Sequence, residues 1–142
     1  MPSPGAGIAP IARVSECRGG AGPAGASAAY HAARAGLKTL LLDRKRFPRS
    51  KVCGDGLTPR AVRALARIGL GDAFGTQTRV AGVRMQGSGV DLGVSYAAEP
   101  PPYDFGLVVP RSVLDQRIAA AAVNAGGEFL DDVSVEDVVT TA

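Results

Sequence analysis

One histidine, two cysteines and no tryptophan are present among 142 residues, so whole classes of catalytic site are excluded or rest on a single side chain. A Ser-His-Asp or Cys-His arrangement depends wholly on His31, and His31 sits in an alanine-rich helical stretch where an exposed position is the simpler role. Cys17 and Cys53 are too few for a disulfide framework, and their spacing suits no zinc site. No apolar run approaches the roughly 18 residues that span a bilayer. The N-terminus also lacks a charged region leading into an apolar core, so the expected location is the cytoplasm.

Charge of one sign is equally scarce. Sixteen Lys and Arg stand against 13 Asp and Glu, a net of +3 that is too small an excess to argue for nucleic acid. Arg44, Lys45, Arg46, Arg49 and Lys51 fall in a loop-like stretch, while Arg60, Arg63 and Arg67 follow at helical spacing. Two readings are open for them: a solvated basic face, or the surroundings of an anionic ligand. What the sequence does have is 46% apolar residues and 19 glycines, enough for one domain, or a piece of one, with a real core.

Periodicity predicts alternating elements. Residues 23 to 35, PAGASAAYHAARA, read as a helix, with Pro23 in the first turn and Gly36 closing the end. LKTLLLD then reads as a buried strand ending at Asp43. Residues 44 to 57 read as a long loop, followed by a helix with Thr58 as N-cap, Pro59 at N1, a stripe of Val62, Leu65 and Ile68, and Gly69 as its stop. VAGVRMQ and VDLGVSY flank GSG as an antiparallel hairpin, and the prolines of AAEPPPYD exclude a central strand. FGLVVP reads as a strand, and RSVLDQRIAAAAVNAGG as a helix with Val113, Leu114, Ile118 and Ala121 inward and Gly126 as its stop. EFL and VSVEDVV close the series as short strands. The order defines an α/β fold.

The first motif with chemistry is GAGPAG, placing Gly20, Gly22 and Gly25 at G-x-G-x-x-G spacing. In a dinucleotide site these glycines allow a tight turn, a close backbone approach to pyrophosphate, and close packing of helix on strand. With this much glycine, such a spacing arises by chance about one time in three. Context decides. Downstream it is favourable, because a helix and a strand follow and Asp43 lies 18 residues past Gly25, near the position of a ribose-binding acid. Upstream, RVSECRG offers one valine among polar residues, and no strand is expected there. On spacing alone a flexible glycine loop stays open.

A second motif, KVCGDGLTPR, sets a cysteine in a glycine-rich loop just before a helix start. Residues 20 to 71, from GAGPAG through FPRSKVCGDGLTPRAV to GLG, resemble the opening of the FAD-dependent geranylgeranyl reductase family, including its menaquinone reductases, within the p-hydroxybenzoate hydroxylase-like flavoproteins. GLVVPRSVLDQRI matches a later landmark of that family, and the likeness extends over about residues 20 to 140.

The resemblance implies a Rossmann-like FAD-binding domain carrying an antiparallel hairpin. It implies that Gly20, Gly22, Ala24 and Gly25 line the FAD pyrophosphate and that Asp43 holds the adenosine ribose where the family usually has Glu. Cys53, Gly54 and Gly56 would form the loop beside the flavin, Arg111 would contact the cofactor, and Val135 would lie by the adenine. Asp55 and Arg60 belong to the signature without an assigned role. The implied reaction is hydride delivery to a C=C bond of a polyprenyl chain in a lipid or quinone. The electron donor would be reduced ferredoxin or NAD(P)H, and the enzyme would touch the membrane peripherally. Cys53 is then either the proton donor or a small packing residue.

Two departures bear on activity. Residues 1 to 19 are expected to be an atypical or disordered segment, as a shifted reading frame or wrong start would produce, leaving the sheet without its first strand. Residues 20 to 142 are expected to be a partial FAD-binding domain, ending before the family's later Gly-Asp segment. An inactive remnant or weak nucleotide-binding module, and an FAD-dependent aromatic monooxygenase or halogenase, are the alternative readings.

Overall fold

The computed structural model of the protein describes residues 16–137. Its first element corrects the sequence reading. Strand β1 (Glu16–Gly19) runs parallel to β2 (Thr39–Leu42), with Glu16 opposite Thr39 and Gly19 opposite Leu42. Strand pairing is made by main-chain groups, so a segment with few apolar side chains can still complete a ladder. The Gly20 amide extends that ladder, donating to the Leu42 carbonyl at 2.7 Å. Residues 16 to 19 are therefore part of the sheet; the remainder of the segment expected to be atypical, residues 1 to 15, lies outside the described residues.

Between β1 and β2 the chain crosses over through α1 (Pro23–Arg34), entered by Pro23 in its first turn. Gly36 follows with φ +82°, a conformation that favours glycine. All four residues of β2 are buried, which matches the uninterrupted apolar run of a strand covered on both faces. On its other side β2 pairs in parallel with β8 (Glu128–Leu130), giving the order β1-β2-β8.

The stretch read as one long loop contains a short strand, β3 (Gly56–Leu57). It pairs antiparallel with β7 (Gly106–Val108), as does β4 (Thr78–Val80) on the opposite edge of β7. Helix α2 (Pro59–Arg67) begins where predicted: the Ala61 amide donates to the Thr58 hydroxyl, and Val62 and Leu65 are buried. The hairpin of β5 (Gly82–Gly87) and β6 (Val90–Ser95) is a separate two-stranded sheet. Its register sets Val83 opposite Val94 and Met85 opposite Leu92 on one face, and all four are exposed. The final predicted strand is not formed over residues 133 to 137, and the rest of it lies outside the described residues.

Helix α3 (Arg111–Asn124) packs on α1. Small residues make the approach close: Ala26 and Ala29 from α1 and Ala119 and Ala122 from α3 are all buried. Ile118, Leu114 and Val109 join them with Leu41 of the sheet, Val62 and Leu65 of α2, and Phe74 from the segment after α2. Burying each large side chain is worth roughly 1.5–3 kcal/mol, so this cluster fixes where α1 and α3 present their first turns.

Candidate functional site

The first turns of α1 and α3 open on a cleft of about 1080 Å³ that also meets the ends of β1 and β2. Gly20, Gly22, Ala24, Gly25, Asp43, Arg111 and Val135 all line it. Gly20 turns the chain out of β1 with φ +99°. A Cβ on Gly25 would overlap the carbonyl oxygen of Gly20, so only glycine lets the first turn of α1 close on the strand end. Gly22 is the N-cap of α1, and no side chain caps that end. Its amides are left facing the cleft, where the helix dipole favours negative charge.

Asp43, directly after β2, is only 6% exposed. Its Oδ2 accepts from the Ala21 amide at 2.9 Å and from Arg49 Nε at 3.2 Å, while Oδ1 accepts from the Lys45 amide at 3.0 Å. The acid therefore ties the glycine turn to the loop after β2. Burial raises its pKa, but the Lys45 and Ala21 amides and the Arg49 guanidinium outweigh that and hold the carboxyl below its ordinary value.

Arg49 continues the chain of contacts. Its guanidinium stacks on Phe47 at 5.1 Å, and Phe47 is held by a ring contact with Phe129 and by its main-chain N–H, which donates to the Asp131 carboxylate. Arg49 Nη1 then reaches Asp115 Oδ2 at 3.1 Å. Asp115 is completely buried and takes two further bonds from Arg111, Nε at 2.8 Å and Nη2 at 3.0 Å. Two arginines thus converge on one carboxylate beside the N-terminus of α1.

Cys53, Gly54 and Gly56 are placed elsewhere. None of them lines the cleft. Cys53 and Gly54 are exposed, and Gly56 opens β3 opposite Val108. The link is Asp55, which has φ +52°; its carbonyl accepts from the Val109 amide at 2.8 Å and its carboxylate from the Arg111 amide at 3.2 Å. The Cys53 thiol is held below its ordinary pKa by the Asp55 amide and by the Arg111 guanidinium. Arg111 accordingly joins the cysteine loop to the cleft. Arg60 is exposed on α2.

Sequence reading missed Arg49 and Asp115 as site residues. A signal for Asp115 existed: it lies four residues after Arg111, a helical pairing distance, on the stripe that continues to the buried Ile118. An acid on an apolar stripe needs a partner, and the preceding turn supplies it.

A phosphate-bearing dinucleotide fits what is present: an uncapped helix N-terminus, a turn that admits no Cβ at Gly25, and two guanidinium groups at the same place. The chain belongs to the FAD binding domain family, which matches residues 19–141. Its fold is the Rossmann-like fold of that family and the cofactor is FAD.

Among individual proteins, it is 44% identical over 119 residues to the menaquinone reductase of Mycolicibacterium smegmatis, covering 84% of this chain and 29% of that one. It is 36% identical over 110 residues to the digeranylgeranylglycerophospholipid reductase of Picrophilus torridus, covering 77% and 27%. The structure of a myxobacterial chondrochloren halogenase, described as a variant of FAD-dependent halogenases, superposes with a TM-score of 0.80 at 25% identity, covering 90% of this chain and 30% of that one. The chain spans less than a third of the length of each of these proteins.

Proposed function

We propose that this protein is the FAD-holding part of a reductase that adds hydrogen across a C=C bond of a prenyl chain in a quinone or lipid. The observation that carries the reading is the 44% identity with a menaquinone reductase over most of this chain. The halogenase alternative rests on a likeness of fold at 25% identity, and the reductase reading is preferred on that difference.

In this reading Gly20, Gly22, Ala24 and Gly25 hold the pyrophosphate at the start of α1, with Arg49 and Arg111 against its charge. Asp43 accepts from a ribose hydroxyl through the remaining capacity of Oδ1, and Val135 lies by the adenine. Gly54 and Gly56 keep the loop beside the flavin free of side chains. FAD, held by these residues, would supply the hydride chemistry. Cys53 gives its proton to the second carbon of the double bond, and the resulting thiolate is stabilised by the Asp55 amide and Arg111. Electrons come from reduced ferredoxin or NAD(P)H. A prenyl substrate, being a membrane lipid, would be met at a membrane surface.

The test loads the protein with FAD, reduces it without oxygen, and adds a menaquinone in detergent micelles. Mass spectrometry should find two hydrogens gained on the prenyl chain. An unaltered prenyl chain, or hydroxylation of an aromatic compound in a parallel incubation with oxygen, would contradict the proposal.

A further inference from the structure

We infer that Asp115 is a positioning residue: its buried carboxylate fixes the guanidinium groups of Arg49 and Arg111 side by side across the start of α1, where they receive a diphosphate. This deepens the FAD reading and rests on it for the identity of the natural ligand.

The geometry has three parts. Asp115 is 0% exposed, so its charge must be met inside the protein, and both of its oxygens are occupied by arginine nitrogens. The bidentate pairing with Arg111 fixes the plane of that guanidinium, which a point-charge partner could not do. Arg49 arrives from the loop after β2, held by Asp43 on Nε and by Asp115 on Nη1, which leaves its Nη2 turned toward Gly22. A Cβ built on Gly22 would lie 3.5 Å from Arg49 Nη2 and 3.6 Å from Arg111 Nη2. Two cationic tips therefore flank one glycine at a helix N-terminus.

Arginine side chains lose considerable rotamer freedom when held in one place. Asp115 and Asp43 impose that order before any ligand arrives, and a preorganised donor set binds more tightly than a mobile one. Charge alone predicts the opposite dependence on Asp115. Neutralising a carboxylate beside an anion site removes a repulsion, so on Coulombic grounds binding should strengthen. The sign of the effect thus separates positioning from net charge.

The experiment titrates inorganic pyrophosphate, and separately FAD, into the wild-type chain and Asp115→Asn by calorimetry. Arginine Nε–H signals are recorded by NMR alongside. Asp115→Asn should weaken pyrophosphate about tenfold, equivalent to about 1.4 kcal/mol, and broaden the Arg49 and Arg111 signals that wild type shows as ordered. Should Asp115→Asn fail to fold, Arg111→Lys keeps the charge but loses the two-point pairing, and should weaken pyrophosphate several-fold. Unchanged or tighter pyrophosphate binding in a folded variant overturns the inference, as does a wild-type chain that binds no pyrophosphate. Pyrophosphate binding without FAD binding overturns the flavin reading alone.

Discussion

The main-chain amide of Arg111 donates to the Asp55 carboxylate at 3.2 Å, and the two residues belong to the two stretches that sequence singles out, CGDGLTPR and VVPRSVLDQRI. The cysteine loop is thereby pinned to the first residue of α3, whose guanidinium faces both Cys53 and the cleft.

A reactivity prediction follows from that link. In a Cys17→Ser background, alkylation of Cys53 by iodoacetamide should reach half its maximal rate below the pH of about 8.5 typical of a free thiol. Arg111→Ala removes one of the groups that favour the thiolate, so the midpoint should rise and the rate at neutral pH should fall several-fold. A midpoint unaffected by Arg111→Ala would break the link.

Two glycines in the same turn should respond differently to alanine. Gly25→Ala forces a methyl group onto the Gly20 carbonyl, and the strand-to-helix turn must move. A loss of at least about 2 kcal/mol in urea unfolding is expected. Gly22→Ala meets only the ends of two arginine side chains at ordinary contact distance, and should cost well under about 1 kcal/mol while weakening pyrophosphate binding. Equal destabilisation by the two would contradict this account of the turn.

Asp43 should make stability depend on acid. Its folded-state pKa is depressed, so its contribution is complete above the unfolded-state value of about 3.9 and is lost as pH falls through the folded-state value. Wild type should exceed Asp43→Asn by roughly 1–3 kcal/mol near pH 7, since charged hydrogen bonds to Ala21, Lys45 and Arg49 are weakened in the variant. That gap should narrow as the pH is taken below about 3.9. A gap constant down to pH 2 would contradict a charged Asp43 in the native state.

The sequence made α1, α2, α3 and β2 legible because each carries local signals: Pro23 and Gly36 around α1, Thr58 and Pro59 before α2, and the apolar run of β2. Strand β1 was not legible, because main-chain pairing to β2 leaves no trace in side-chain pattern. Strands β3 and β4 are short and gain their identity only from β7 between them. Within the site, glycine spacing and Asp43 were visible from local order. Arg49 was not singled out because its importance lies in a contact with Asp115, far away in the chain, whereas Asp115 did leave a local trace, its helical spacing from Arg111, that was not used.

The central claim is that this cleft holds FAD, and flavin retention tests it most directly. The purified chain would be mixed with FAD, separated from excess, and read by visible absorption together with far-ultraviolet circular dichroism. A folded protein that carries flavin in near-equal amount, and loses it in Gly25→Ala, is the predicted result. A folded wild-type chain that emerges colourless would contradict the claim.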